Sequence, residues 1–114
     1  MAKRAADVLV DTLAAHGVER VYGVAGDSLN GITDSIRGRG SMAWTAVRHE
    51  ETAVFGVGAE AHLTGRLAVC VGSSGPGNLH AINGLYDCHR SASRSCRSSS
   101  SCFRTTRSPS SSWR

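Results

Sequence analysis

Three short runs in this chain carry side chains able to do chemistry. Arg48-His49-Glu50-Glu51 places two carboxylates directly after a β-branched run and at the head of a helical one. Acids in a first helical turn sit well against the helix dipole, which alone accounts for them. A carboxylate at the C-terminal end of a strand is also where α/β domains put groups that work on a ligand. On position alone both readings stay open. Gly72-Ser73-Ser74-Gly75-Pro76-Gly77 lies between an apolar strand and a helix; its amides are either open to an anion or simply make a tight turn. No Lys-Ser/Thr pair follows, so it is not a P-loop. Gly56-Val57-Gly58-Ala59-Glu60-Ala61 matches the dinucleotide pattern G-x-G-x-x-A. That pattern needs a strand immediately before it; here it falls inside a helix, which points to close helix packing instead.

The remaining reactive side chains are less informative. Cys70, Cys88, Cys96 and Cys102 include no C-x-x-C pair, so no zinc site is expected. Cys70 reads as a small apolar filler in a buried strand. With no secretion signal the thiols are expected to be reduced. His16, His62 and His80 have no partner spacing and read as surface or satisfied core residues.

These runs must be positioned by alternating helices and strands. Ala6, Leu9, Val10 and Leu13 give residues 3–16 one apolar helical face, stopped by Gly17. Val18–Val24 is a strand, after which Ser28 is placed to cap a helix carrying Leu29, Ile32 and Ile36. Met42–Val47 is a second strand. Glu50–Leu63 is a helix with Ala53, Val54, Val57 and Ala61 on one side. Leu67–Val71, apolar on both faces, reads as a buried parallel strand, and Asn78–His89 as a fourth helix. The order α-β-α-β-α-β-α predicts an α/β fold: a three-layer parallel sheet with helices on both faces. Ligands then belong at the loops leaving the strand ends, here 23–30, 48–50 and 72–78.

Charge and composition break sharply near residue 90 of the 114. Up to His89 there are seven bases against nine acids; from Arg90 onward there are six bases and no acid, so the net +4 belongs to the C-terminal segment. No Gly follows Gly84, and no Val, Leu, Ile or Met follows Leu85. A Ser/Arg-rich stretch of this kind buries too little apolar surface to offset its ordering entropy, so residues 91–114 are expected to be a disordered tail. No apolar run approaches the ~20 residues that span a bilayer. The N-terminus, interrupted by Asp7 and Asp11, lacks a signal-peptide core, and a cytoplasmic location is expected.

Taken together, the strand-end loops resemble those of thiamine-diphosphate-dependent enzymes. Tyr22-Gly23-Val24-Ala25-Gly26-Asp27-Ser28-Leu29-Asn30 resembles the family's first active-site loop, and Arg48-His49-Glu50-Glu51-Thr52-Ala53 its R-H-E-x-x-A segment. Gly75-Pro76-Gly77-Asn78 followed by Asn83-Gly84-Leu85-Tyr86-Asp87-Cys88-His89-Arg90 resembles the next motif. The Y-D-C-H-R ending is most similar to the pyruvate oxidase and quinone-dependent pyruvate dehydrogenase branch. It speaks against acetolactate synthase, the nearest alternative. The resemblance covers residues 1–90, roughly the first half of the family's N-terminal pyrimidine-binding domain.

The resemblance implies that Glu50 bonds the pyrimidine ring of thiamine diphosphate and exchanges a proton with it, which promotes deprotonation of the thiazolium carbon. Partial desolvation is expected to raise its pKa for that task. Glu51 is expected to point elsewhere and to be structural. Gly26, Asp27, Gly75, Pro76, Gly77 and Asn78 are expected to shape the cofactor site. The family reaction is oxidative decarboxylation of pyruvate, with electrons passing to FAD and then to quinone or oxygen. Its members form homodimers or homotetramers with the active site between subunits, and only a full-length parent would make a peripheral membrane contact.

The resemblance stops where the composition breaks. The family continues with an Arg-Val-Pro-Val-Leu-type strand; this chain has Ala92-Ser93-Arg94-Ser95-Cys96-Arg97-Ser98. Codons compatible with those residues, read from one base earlier, spell Arg-Val-Pro-Val-Leu-Pro-Ile. Residues 92–114 are therefore read as a frameshift product. The G-D-G…N motif for Mg²⁺ and the diphosphate is absent, as is an FAD domain. The chain alone is expected to be inactive. Its sheet is expected to have an unpaired edge and poor solubility. Two further readings are of another kind. One is nucleic-acid binding by the Arg/Ser tail, disfavoured because nothing upstream resembles a nucleic-acid fold. The other is a regulatory subunit pairing with a full-length homologue.

Overall fold

Val10 and Val21 are fully enclosed, and the layers form around them. The computed structural model describes residues 2–91, together with the backbones of Ser95–Ser98 and Cys102–Arg104. Helix α1 (Ala5–Ala15) turns Val10 inward and leads into strand β1 (Arg20–Gly23). A 3₁₀ turn (Asp27–Leu29) precedes α2 (Asn30–Arg39), β2 (Ala43–Ala46), α3 (Glu50–Thr64) and β3 (Ala68–Val71). Two short helices follow, α4 (Pro76–His80) and α5 (Ile82–Arg90), and then the backbone strands β4 (Ser95–Ser98) and β5 (Cys102–Arg104).

The sheet order is β2-β1-β3-β4-β5. β1 pairs in parallel with β2 (Arg20 opposite Ala43) and with β3 (Val21 opposite Val69). Alternation along the strands divides the core between two faces. Val21, Val69 and Val71 pack with Val10, Leu29 and Ile36 from α1 and α2. Ala68 and Cys70 pack with Ala53, Val54, Val57 and Ala61 of α3 and with Ala81 and Cys88. The expected three-layer α/β arrangement is thus present, with helices on both faces of a parallel sheet.

Three details differ from the sequence reading. Ser28 does not cap α2: it lies inside the 3₁₀ turn, and its Oγ instead accepts from the Ser74 amide across to the next loop, 3.4 Å away. The helix expected over 78–89 is two helices broken at Ala81, whose N–H bonds back only three residues, to the Asn78 carbonyl at 3.3 Å. Such a tightened turn needs no Gly or Pro, so the sequence carries no mark of it. The third concerns 91–114. The backbone of β4 pairs in parallel with β3, Ala68 opposite Ser95, and β5 pairs antiparallel with β4. The edge of β3 expected to be open therefore has a neighbour, and seven residues of the expected tail are strand. Ladder pairing uses only backbone N–H and C=O, which a Ser/Arg sequence has as well as any other. The rest of that segment lies outside the described residues.

Candidate functional site

Strand order reverses direction between β1 and β3, and a crevice at the carboxyl ends of the strands is the place such sheets bind ligands. The loop after β1 and the loop after β3 meet there. Besides the Ser28–Ser74 bond, a Cβ built on Gly26 would lie 3.5 Å from the Ser73 Cβ. The third loop, after β2, delivers Glu50 as the first residue of α3.

Glu50 is 8% exposed, the one buried acid among the described residues. Burying a carboxylate is costly unless it is partnered, and Glu50 is partnered from two sides. Its Oε2 accepts from Nδ1 of His80 at 3.1 Å. Its Oε1 lies against Gly77, where an added Cβ would sit 2.8 Å from that oxygen and 2.5 Å from the Ser73 Oγ. His49 precedes α3 as its N-cap, and its Nδ1 accepts from the Glu51 amide at 3.2 Å. The rings of His49 and His80 stack with centroids 4.7 Å apart and planes 23° from parallel.

Burial pushes the Glu50 carboxyl up. The hydrogen bond from His80, the N–H of Glu50 itself and the charges of His80 and His49 pull it down, and the downward group wins. The expectation of a raised pKa is therefore reversed. Desolvation is the largest single influence, as expected, but the two histidines and the helix start outweigh it together.

The other expected site residues divide by depth. Gly77 is buried against the carboxylate, Gly26 is half-buried at the loop contact, and Asn78 is half-buried with its Oδ1 beside Gly72. Asp27, Gly75 and Pro76 are exposed. Gly75 has φ +78° and ψ −123°, backbone that a residue with a Cβ rarely adopts, so its type is explained by the turn. Glu51 is held through its amide by His49 and presents its carbonyl toward α5. His80, read from the sequence as an ordinary surface or core histidine, is the residue that reading missed. His80 and Glu50 are far apart in sequence, so spacing is silent. Glu50 opens the helix after β2, whereas His80 closes the short helix after β3, so no sequence signal joins them.

His49, Glu50 and His80 bring donor atoms within 4.8 Å of one another. Imidazole binds a metal through a lone pair in the ring plane, and two rings stacked this nearly parallel do not aim at one ion. The trio as placed is a hydrogen-bonded stack. Elsewhere, Ile82, Leu85, Tyr86 and His89 line an open groove of about 310 Å³ on α5, with Glu50 outside its walls.

A doubly covered parallel sheet with a buried carboxylate at its switch point defines the class, a ligand-binding α/β domain that works through its strand-end loops. The family follows from comparison. Residues 3–94 match the model described as thiamine pyrophosphate enzyme, N-terminal TPP binding domain, and the chain belongs to that family. It is 69% identical over 88 residues to an uncharacterized 42.6 kDa protein from the isoamylase 3′ region of Pseudomonas amyloderamosa, covering 77% of this chain and 22% of that protein. It is 44% identical over 80 residues to pyruvate oxidase of Lactiplantibacillus plantarum, covering 69% of this chain and 13% of the oxidase. It is 35% identical over 83 residues to the acetolactate synthase large subunit of Parasynechococcus marenigrum, covering 70% of this chain and 14% of the synthase. The chain thus spans less than a quarter of these relatives' length.

Proposed function

We propose that this chain is the N-terminal part of a pyruvate oxidase-like or quinone-dependent pyruvate dehydrogenase-like enzyme, and that Glu50 is the carboxylate that meets the pyrimidine of thiamine diphosphate. One observation carries the reading: the single buried acid among the described residues stands at the strand-end crevice of a thiamine pyrophosphate-binding domain. The residues present suit the pyrimidine end of the cofactor. Oε1 is kept clear by Gly77, which has no Cβ to cover it, and His80 and the start of α3 hold the carboxyl ionised. Gly26, Asp27, Gly75, Pro76, Gly77 and Asn78 shape the surrounding walls. When bound, the cofactor supplies an electron sink for decarboxylation of a 2-oxo acid. Glu50 accepts the hydrogen bond of the ring nitrogen and holds its proton in exchange, while the glycine loop excludes bulk from the carboxylate.

The oxidase branch is favoured over an acetolactate synthase parent by 44% against 35% identity and by the Tyr86–Arg90 ending. On this reading the parent also uses Mg²⁺ and FAD through domains outside this chain, pairs subunits around the site, takes pyruvate and is cytoplasmic. Residues 92–114 are then out-of-frame translation, which the nucleotide sequence of the gene tests.

Titration of the full chain with thiamine diphosphate, followed by calorimetry, tests the assignment of Glu50. A hydrogen bond to a charged group contributes about 1.5–3 kcal/mol. Glu50→Gln is therefore expected to weaken binding roughly 10- to 100-fold, while Glu51→Gln leaves it unchanged. Equal affinity of the parent and Glu50→Gln would overturn the assignment. Pyruvate-dependent dye reduction by the chain alone is expected to be absent, because half a site does not preorganise the cofactor.

A further inference from the structure

The role proposed for Glu50 requires a proton to enter and leave a carboxyl with almost no contact with water. Its side chain is 11% exposed, whereas that of His80 is 49% exposed. His80 therefore has one nitrogen on the buried carboxylate and the remainder of its ring toward solvent. A carboxylate can only accept, so Nδ1 carries the hydrogen in the 3.1 Å contact. The ring is held in that pose. It stacks on His49, and His49 is itself pinned, because its Nδ1 accepts from the Glu51 amide. The backbone before His80 is set by the Gly75 turn and by the contact of Gly77 with Oε1. The glycine loop thus places His80 on one carboxyl oxygen and clears the other.

We propose that His80 is the positioning residue of this site: it fixes Oε2 of Glu50 and carries the proton of that carboxyl to and from solvent. The proposal rests on the reading of Glu50 as the cofactor-facing carboxylate. The transfer balances within the pair. Nε2 takes a proton from solvent as Nδ1 passes its own to Oε2; the carboxyl becomes neutral and the ring stays neutral with its hydrogen on the other nitrogen. The reverse step restores the carboxylate. Among the described residues, the charged or titratable groups acting on Glu50 are His80, from α4, and His49, from the loop before α3. Both favour the ionised carboxyl, and burial opposes them.

The test is an NMR titration of the full chain labelled with ¹³C at glutamate carboxyls, with Glu50→Gln identifying the Glu50 signal. The parent midpoint is expected below that of an ordinary glutamate. In His80→Ala and His80→Gln it is expected to rise, because the hydrogen bond that favours the ionised carboxyl is gone. Added imidazole is expected to bring His80→Ala back down, an effect that a merely structural histidine does not produce. Far-UV circular dichroism checks that each variant is folded; if His80→Ala is not, the half-exposed site still tolerates His80→Gln, whose midpoint carries the same decision. A midpoint unmoved in the folded variants, or a His80→Ala midpoint that imidazole leaves raised, overturns the proposal. No cofactor is present, so this result and the Glu50→Gln binding result can fail separately.

Discussion

Gly84→Ala is expected to destabilise the chain although it replaces glycine with the best helix former inside a helix. Gly84 is buried in α5 where that helix crosses α3. A Cβ there would lie 2.7 Å from the Val54 Cβ, 3.0 Å from its Cγ1 and 3.3 Å from the Glu51 carbonyl oxygen. Val54 is 1% exposed, β-branched and anchored through the very Cβ that is struck, so it cannot yield by changing rotamer. The helices must part. Overpacking of this kind costs about 1–3 kcal/mol, and the helical gain of Ala over Gly returns about 1 kcal/mol. The net is a loss of up to roughly 2 kcal/mol, and a domain of this size loses about 4–8 °C of Tm per kcal/mol. Gly56→Ala is the matched control in α3. Its new Cβ would meet only the Tyr22 ring, at 3.5 and 3.6 Å, which is ordinary contact. The helical gain then survives, and Tm is expected to rise. Thermal and urea unfolding followed by far-UV circular dichroism read both. If Gly84→Ala melts at or above the parent, or the two variants shift in the same direction, the steric reasoning is wrong.

Stability is expected to be level from neutral pH down to about 5 and to fall below about pH 4, the ordinary carboxylate range. Hydrogen bonds from Arg4 and Ser35 hold the Asp7 carboxyl well below that range, and Arg39 and Arg37 likewise lower Asp11 and Asp34. Folded pKa values below the unfolded ones mean stability that is present above the unfolded values and lost as pH falls through them. Urea midpoints across pH check this, and Asp7→Asn is expected to flatten the acid limb; a midpoint that rises on acidification would refute it. Gly75→Ala is expected to cost about 1–3 kcal/mol because its backbone lies outside the regions open to alanine. Gly65→Ala, at a left-handed helix end with φ +66°, is expected to cost less in the same melts, nearer 1 kcal/mol.

The strands and the loops that leave them were legible because burial on both faces writes an unbroken apolar run, as at Ala68–Val71, and because glycines mark each exit. Glu50 was legible for the same reason, since it follows a strand and opens a helix. Ser28 was misread because a capping residue and a residue that bonds a neighbouring loop look alike in sequence; only the closeness of the β1 and β3 loops decides between them. Of the two α3 glycines expected to pack closely, Gly58 is buried while Gly56 meets only the Tyr22 ring, and the tight approach at Gly84 had no mark in the sequence, since helical periodicity shows that a face is buried but not which glycine meets the partner helix. Strands β4 and β5 carried no apolar pattern to read, because their pairing is made by the backbone.

The Glu50 carboxyl shows why the chemistry of this site needs the fold and not the motif alone. Its local sequence, a glutamate beginning a helix against an apolar core, supplies burial and with it an upward push. The opposing influence comes chiefly from His80, thirty positions later, which reaches Oε2 because the chain passes along α3, through β3 and around a glycine turn before returning to the same crevice. The sign of the shift follows from that return. A carboxyl held ionised in the cofactor-free chain begins as an acceptor. On the proposed reading its first act toward the pyrimidine is to take a hydrogen bond, with His80 supplying or removing the proton that the exchange then requires.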